Sequence, residues 1–286
     1  MKDHHTNDID RCLICGSETE YFFSKQHDAK YFPDKLPLKV DYDKCTNCGF
    51  VLSRTHKNMD LTYWAKLNHE WHTVWDGWNL DLGSHLTNRP PFTEQAIALK
   101  ILNKSKLINL NNNIDYAAGY GFLSRISNKY FDEKIQNYDA YVNDNDSNVE
   151  YLRREDLGKY DLVLNSAMFE HIASRESLDA VNDLVSKNGV LAIHSVICER
   201  IPNDPSWFYL LPVHTAFHTN KSMDLLMEQW GYTQSIYSPQ AKTWYLFKEA
   251  SLSNVDLGEI VRKINQELQA KWFYHKIGFV DYWKGY

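Results

Sequence analysis

Asn113-Ile-Asp-Tyr-Ala-Ala-Gly-Tyr-Gly-Phe-Leu-Ser-Arg-Ile-Ser-Asn-Lys-Tyr-Phe131 runs from a short apolar strand, through a glycine turn, into an amphipathic helix. Residues 113–118 read as the strand. Leu123, Ile126, Tyr130 and Phe131 then fall at helical spacing, which predicts a helix over Phe122–Phe131. Gly119 and Gly121 let the backbone approach a ligand closely, and the helix start that follows favours a carboxylate or phosphate.

The same alternation continues on the C-terminal side. Lys134–Tyr138 and Tyr160–Asn165 read as strands, Arg175–Lys187 as a helix, Asn188-Gly189 as a turn and Val190–Val196 as a strand. Strands separated by helices imply parallel pairing, right-handed crossovers and a doubly wound α/β sheet. Ligands of such sheets bind beyond the carboxyl ends of the strands. Residues 197–220 hold Pro202, Pro205 and Pro212 and read as irregular. A helix through Met223–Trp230 follows, with Asn220 or Ser222 as its cap and Gly231 as its left-handed end. Thr243–Phe247 is a strand. Leu257, Ile260, Val261, Ile264 and Leu268 mark an amphipathic helix that lacks the basic face of a membrane-surface helix and is expected to pack on the domain's flank. Upstream, Pro91–Leu102 is a helix with Thr93 as cap. The pattern divides the chain into a cysteine-bearing module (1–52), an aromatic-rich connector or lid (53–105), the α/β domain (106–250) and a C-terminal helix (251–286).

Four of the five cysteines form two matched turns, Cys12-Leu-Ile-Cys15-Gly16 and Cys45-Thr-Asn-Cys48-Gly49. A two-residue spacing lets both sulfurs of a pair converge on one ion. Four thiolates then close a tetrahedral zinc shell, with no open position for catalysis. The ion is structural in this reading, and it stabilises a module too small for a core of its own. Cys198 lies outside the pattern and reads as a buried thiol.

Hydrophobic residues make up 43% and charged residues 24% of the 286, as in a globular enzyme. The net charge of -6, with no Lys/Arg cluster, argues against a nucleic-acid partner. The polar start of the chain has no signal-peptide core and no run of about 18 apolar residues occurs, so a cytoplasmic location without membrane insertion is expected. Cysteines in that compartment point to metal rather than disulfides.

About twenty residues after the glycine turn, Asp139 follows the second strand, where a carboxylate can accept both hydroxyls of a ribose. Asp144 and Asp146 are rivals for that role. The spacing suits an adenosine ligand, whether a dinucleotide or S-adenosylmethionine. Tyr160-Asp-Leu-Val-Leu-Asn-Ser-Ala-Met-Phe-Glu-His-Ile172 resembles the fourth motif of class I S-adenosylmethionine-dependent methyltransferases. Asp115–Gly121 resembles their first motif, with Ala117 where glycine is commoner, and Asn188-Gly-Val-Leu-Ala-Ile193 resembles a later strand. The resemblance covers roughly residues 95–250. It implies a Rossmann-like, doubly wound seven-stranded sheet with the last strand reversed, behind a small N-terminal zinc-binding domain. It also implies S-adenosylmethionine as cofactor, with Asp115, Ala117, Gly119 and Gly121 at the methionine portion, Asp139 on the ribose, Glu155 and Asp156 near the adenine, and Asn165 and Ser166 bordering the methyl-bearing sulfur. Glu170 and His171 are expected to hold their loop together.

A four-cysteine module before this fold looks like bacterial sugar methyltransferases of antibiotic and surface-glycan pathways, which implies a small-molecule, carbohydrate-type acceptor. Their C-methylating members carry a Tyr-x-Glu-His cluster after the fifth strand. Here Tyr209-Leu-Leu-Pro-Val-His214-Thr-Ala-Phe-His218 lacks the glutamate, and only 36 residues follow Ala250, which favours O-methylation. A sugar hydroxyl needs a general base within hydrogen-bond reach. His214 is the first candidate and His218 the second, while His194, inside a strand pattern, reads as structural. Tyr63, Trp64, Trp71, Trp75 and Trp78 could form a lid or an inter-domain contact. An RNA or protein methyltransferase that grips its substrate with the zinc module is an alternative, and a non-catalytic binding module another.

Overall fold

A computed structural model of the chain describes residues 11–72, 90–142, 149–252 and 256–278. Its strands, in chain order, are β1 (Thr19–His27), β2 (Leu38–Cys45), β3 (Val51–Ser53), β4 (Asn113–Tyr116), β5 (Asn137–Tyr138), β6 (Tyr160–Ser166), β7 (Val185–His194), β8 (Ile197–Cys198), β9 (Ala216–Thr219), β10 (Tyr232–Ser238), β11 (Thr243–Lys248) and β12 (Tyr274–Lys276). The helices are α1 (Arg54–Lys57), α2 (Leu61–Glu70), α3 (Phe92–Lys104), α4 (Phe122–Phe131), α5 (Arg175–Asp183), α6 (Asn220–Gln229) and α7 (Leu257–Glu267).

The larger unit is a Rossmann-like seven-stranded sheet in the order β12-β10-β11-β7-β6-β4-β5. β5, β4, β6 and β7 pair in parallel, as crossovers through helices require. β11 runs antiparallel to β7, and β10 antiparallel to β11, so β11 is the reversed strand that the resemblance implies. β12, which the sequence did not reveal, adds a second reversed strand on β10. Both faces are covered. Leu178 and Val181 of α5 and Met223, Leu226 and Met227 of α6 pack on one face. Leu99 and Leu102 of α3, Leu123 of α4 and Leu257, Val261 and Ile264 of α7 pack on the other. Among the described residues no helix is long and apolar enough to cross a membrane.

Several boundaries differ from the sequence reading, each for a local reason. α5 ends at Asp183 rather than Lys187, because β7 already begins at Val185. The expected Asn188-Gly189 turn is an irregularity inside β7. There a side chain on Gly189 would sit 2.8 Å from the Tyr160 carbonyl, so only glycine allows the strands to approach. Thr93 lies inside α3, whose N-cap is Pro91 with no side-chain cap. α6 is capped by Thr219, reciprocally with Ser222 at its third position, so Ser222 belongs to the cap as partner and not as N-cap.

The second sheet has five strands in the order β1-β2-β3-β9-β8. Its first three come from the cysteine module and its last two from the proline-rich segment after β7. The boundary drawn at residue 52 therefore falls within one continuous sheet. Val51 pairs with Phe217 and Leu52 with Ala216 across that junction.

Candidate functional site

Four thiols converge where the two cysteine turns meet. Sγ of Cys12 and Cys48 lie 3.6 Å apart and those of Cys15 and Cys45 3.5 Å apart, and all four lie within 4.8 Å of one another. Backbone N–H groups of Ile14, Asn47 and Cys48 point at the sulfurs at 3.4 Å. Gly16 and Gly49, both in the left-handed region, close the turns. The hydrogen bond from Cys48 holds the Cys12 thiol down to about 5, while that same bond and burial push the Cys48 thiol up. A cluster of soft thiol donors, with one already favouring thiolate and amides aimed at sulfur, is what a tetrahedral metal site offers, and it fits a metal ion such as zinc. Cys198 is buried apart from it in β8.

The glycine turn lies between the ends of β4 and β5. The N–H groups of Ala117 and Ala118 both donate to the Tyr138 carbonyl, at 2.8 and 3.0 Å, and the Gly121 N–H donates to the Ala118 carbonyl at 3.0 Å. Ala117, Gly119 and Gly121 all have positive φ. Ala117 therefore holds a conformation that costs a non-glycine residue about 1–2 kcal/mol. Asp139 is brought onto this turn. Its Oδ2 accepts from the Gly119 N–H at 2.9 Å, and its Oδ1 accepts from the N–H groups of Tyr141 and Val142. Burial raises the Asp139 carboxyl, and those three amides partly offset the effect. Beneath the turn Asp115 is 2% exposed, with Oδ1 unpartnered, and burial followed by the Asp139 charge pushes it up to about 7. A tight glycine turn with a buried acid below and a carboxylate beside it fits a small cofactor with cationic and hydroxyl groups. Glu155 and Asp156 stand on an exposed turn, both paired with Arg153 at the surface. Asp144 and Asp146 lie outside the described residues.

The next strand end carries Asn165, whose Nδ2 donates to the Tyr116 carbonyl at 3.1 Å and whose Oδ1 is buried without a partner. Ser166 Oγ donates to Gln95 at 3.3 Å. Immediately beyond, a short turn over Phe169–His171 carries Glu170 and His171. Glu170 is 2% exposed. Its Oε1 accepts from the Tyr209 hydroxyl at 2.5 Å and its Oε2 from the Ser195 hydroxyl at 3.1 Å. Burial raises the Glu170 carboxyl, and burial and the Glu170 charge raise the Tyr209 phenol well above its usual range.

His214 lies against this pair. Its ring is 4.4 Å from that of Tyr209 and 4.9 Å, edge-on, from that of His171. Its Nδ1 donates to the Tyr209 carbonyl at 2.7 Å, which makes Nε2 the lone-pair nitrogen. Burial, then the neighbouring imidazoles of His214 and His72, hold His171 well below its ordinary value, and its Nδ1 is buried without a hydrogen-bond partner. Ligand atoms of Glu170, His171 and His214 lie within 4.8 Å of one another. The sequence reading gave Glu170 and His171 a loop-holding part only. Their adjacency to Tyr209 and His214, about forty residues on, depends on tertiary packing that no local pattern signals.

His218, the second base candidate, lies elsewhere. It is 1% exposed in β9, between the rings of Phe50 and Phe169, and takes no part in the cluster. His194 donates from Nδ1 to the Lys242 carbonyl at 2.8 Å, as a structural histidine would. From the aromatic connector, Trp64 lies edge-on to His56 at 5.4 Å, Trp71 packs on Tyr31 at 5.5 Å, and both share a core with Val213, next to His214. Tyr63 is half-buried on the same helix. Trp75 and Trp78 lie outside the described residues.

No protein-family model matches the chain, and no curated protein sequence matches it. Among solved structures it is similar to a magnesium protoporphyrin IX methyltransferase from Synechocystis PCC 6803 with bound SAH, at 16% identity and TM-score 0.37, over 56% of this chain and 83% of that one. It is similar to a SAM-dependent methyltransferase from Aquifex aeolicus at 18% identity and TM-score 0.36, over 59% and 93%. It is also similar to the plantazolicin methyltransferase BpumL in complex with an analog and SAH, at 13% identity and TM-score 0.44, over 74% and 93%. Likeness at this level does not define an activity for the chain.

Proposed function

We propose that the protein is an S-adenosylmethionine-dependent methyltransferase that methylates a hydroxyl of a small carbohydrate-type acceptor, such as a sugar, nucleotide sugar or surface-glycan precursor. One observation carries the reading. The Asp139-capped glycine turn follows β4, and the neighbouring strand β6 leads into the Glu170–His171 turn, onto which the segment between β8 and β9 brings Tyr209 and His214. A cofactor end and an acceptor end adjoin at the place where such sheets bind ligands. Asp115, Ala117, Gly119, Gly121, Asp139, Asn165 and Ser166 would hold the cofactor, which supplies an activated methyl group when bound. Glu155 and Asp156 would border its adenine side.

The chain's own task is to orient the acceptor and take up its proton. His214 is suited to this, with its tautomer fixed by the Tyr209 carbonyl and Nε2 the basic nitrogen. Glu170 fixes Tyr209 through one oxygen and Ser195 through the other, so the ring that His214 meets edge-on is held. Zinc at the four cysteines is structural in this reading.

A second reading, methylation at a sugar carbon, draws on one specific observation. Glu170 supplies beside Tyr209 and His214 the carboxylate that the 209–218 segment lacks, and carbanion formation would call for such a group. The test is S-adenosylhomocysteine release over a panel of nucleotide sugars, free and phosphorylated sugars, tRNA and protein, with NMR of the product. An O-methyl signal from a sugar supports the leading reading and a C-methyl signal the second. Turnover with only RNA or protein overturns both. His214→Ala should lower kcat by about 100-fold or more while S-adenosylmethionine still binds. Near-normal turnover would remove His214 from the mechanism.

A further inference from the structure

The two cysteine turns do not face solvent as a separate module. Each grips a segment that runs directly out of the acceptor cluster. On one side, the Ile14 carbonyl of the first turn accepts from Gln229 Nε2 at 2.9 Å and from Arg175 at 3.4 Å, and Arg175 also reaches the Leu13 carbonyl. Arg175 stands four residues after His171 and is tied by Asp179 to the Trp230 indole. On the other side, the Cys48 carbonyl of the second turn accepts from the Thr219 hydroxyl at 2.5 Å, and Lys221 Nζ donates to Asn47 at both its carbonyl and its side chain. Thr219 stands five residues after His214.

Between these anchors the path is continuous. The Thr215 N–H donates to the Glu170 carbonyl at 2.7 Å and the Ser53 N–H donates to the Thr215 carbonyl at 2.7 Å. Leu52 and Val51 then pair with Ala216 and Phe217. His56, locked to Ser53, reaches the Pro212 carbonyl at 2.9 Å. The contact at Thr219 is close: a Cβ on Gly49 would sit 3.2 Å from the Thr219 methyl.

We infer that the four-cysteine site is a positioning element of the acceptor cluster: one metal ion joins the two turns and so fixes His171 and His214 relative to each other, through Arg175 and Thr219. The cofactor turn on β4–β5 has no part in this path. Metal loading should therefore govern the acceptor half and leave the cofactor half unchanged. The inference rests on the reading of the cluster as the acceptor site, but its central readout needs no acceptor.

The test is hydrogen–deuterium exchange of the full chain, as purified and after treatment with a chelator and a reductant. Metal removal should raise exchange in residues 169–175 and 209–221 and leave residues 113–121 protected, with S-adenosylmethionine affinity changed by less than about threefold. Unchanged exchange at 209–221 overturns the inference. So does simultaneous loss of protection at 113–121, which would mean only global unfolding. Two variants cut the path with the metal retained: Thr219→Val at the second turn and Gln229→Leu at the first. Each should raise exchange at the segment it anchors and lower kcat by about tenfold or more with little change in cofactor affinity. Thr219→Ser, which keeps the hydroxyl, should restore both. Variants that match the unmodified chain in exchange and kcat would refute the coupling. Failure to bind S-adenosylmethionine at all would refute the methyltransferase reading instead and leave the exchange comparison standing.

Discussion

Asp115→Asn isolates the electrostatic cost built into the floor of the glycine turn. Asp115 is 2% exposed, one carboxyl oxygen has no partner, and burial pushes the group up to about 7. An unfolded chain has an aspartate near the ordinary value of about 3.9. The folded state thus keeps a proton that the unfolded state gives up, across a window of roughly three pH units. In that window the folded state binds more protons, so stability falls as pH rises, by about 1.4 kcal/mol per unit. The accumulated difference is roughly 4 kcal/mol, present in full below about pH 4 and lost by the time pH passes about 7. Asparagine keeps the shape and cannot ionise. The variant should therefore escape this loss.

The assay is equilibrium urea unfolding of both proteins at matched pH values from about 4.5 to 8, with the difference in stability plotted against pH. Other groups titrate in both proteins and cancel in the difference. The expected curve favours the variant increasingly up to about pH 7 and is flat above, with a total change of about 3–4 kcal/mol. A difference that stays within about 1 kcal/mol across the range would refute the reasoning, because it would mean that Asp115 ionises as it does in the unfolded chain. A cationic ligand in the turn favours the ionised acid. S-adenosylmethionine affinity should accordingly rise with pH up to about 7 in the original chain and not in the variant.

His218→Phe should act with the opposite sign: burial holds the imidazole at about 4, so the native state resists a proton that the unfolded state takes up below about 6.5, and the variant should be more stable by about 2 kcal/mol at pH 5 by thermal or urea unfolding. Gly189→Ala should lower stability by about 1–3 kcal/mol, read from the urea midpoint, since its methyl would meet the Tyr160 carbonyl at 2.8 Å. Elemental analysis should find one zinc per chain, lost together with several degrees of thermal stability on Cys45→Ser. Full metal content in that variant would place the ion elsewhere.

Legibility in the sequence followed the range of the interactions. The Phe122–Phe131 helix could be read residue for residue because its apolar spacing is local, and the two Cys-x2-Cys-Gly turns because metal ligands impose their spacing on the chain. β12 was not legible: Tyr-His-Lys has no alternation of its own and pairs only because α7 turns it back onto β10. The start of β7 at Val185 was hidden for a similar reason. Ser186 and Lys187 read as helix, and pairing with Tyr160 pulls that stretch into the sheet. At the site, Gly119 and Asp139 were legible because one strand-turn-helix unit and the next strand fix them. Glu170 beside Tyr209 was not, since β9 reaches the 169–171 turn by joining the sheet of the cysteine module.

That junction also explains how the Glu170–Tyr209–His214 cluster holds its groups. Glu170 and Tyr209 shift in the same direction, both towards the protonated form, because burial disfavours either anion. The Tyr209 phenol donates to the Glu170 carboxyl at 2.5 Å, which ties the two groups together. Burial also holds His171 well below its ordinary value, so its imidazole stays neutral. A neutral imidazole is the form that can take up a proton. The arrangement works only while His214 stays against Tyr209 and Thr215 stays on Glu170, and both contacts lie on the segment that the cysteine turns hold at Thr219. If the acceptor's proton moves to His214, that step depends on β9, a strand that pairs in the sheet of the cysteine module.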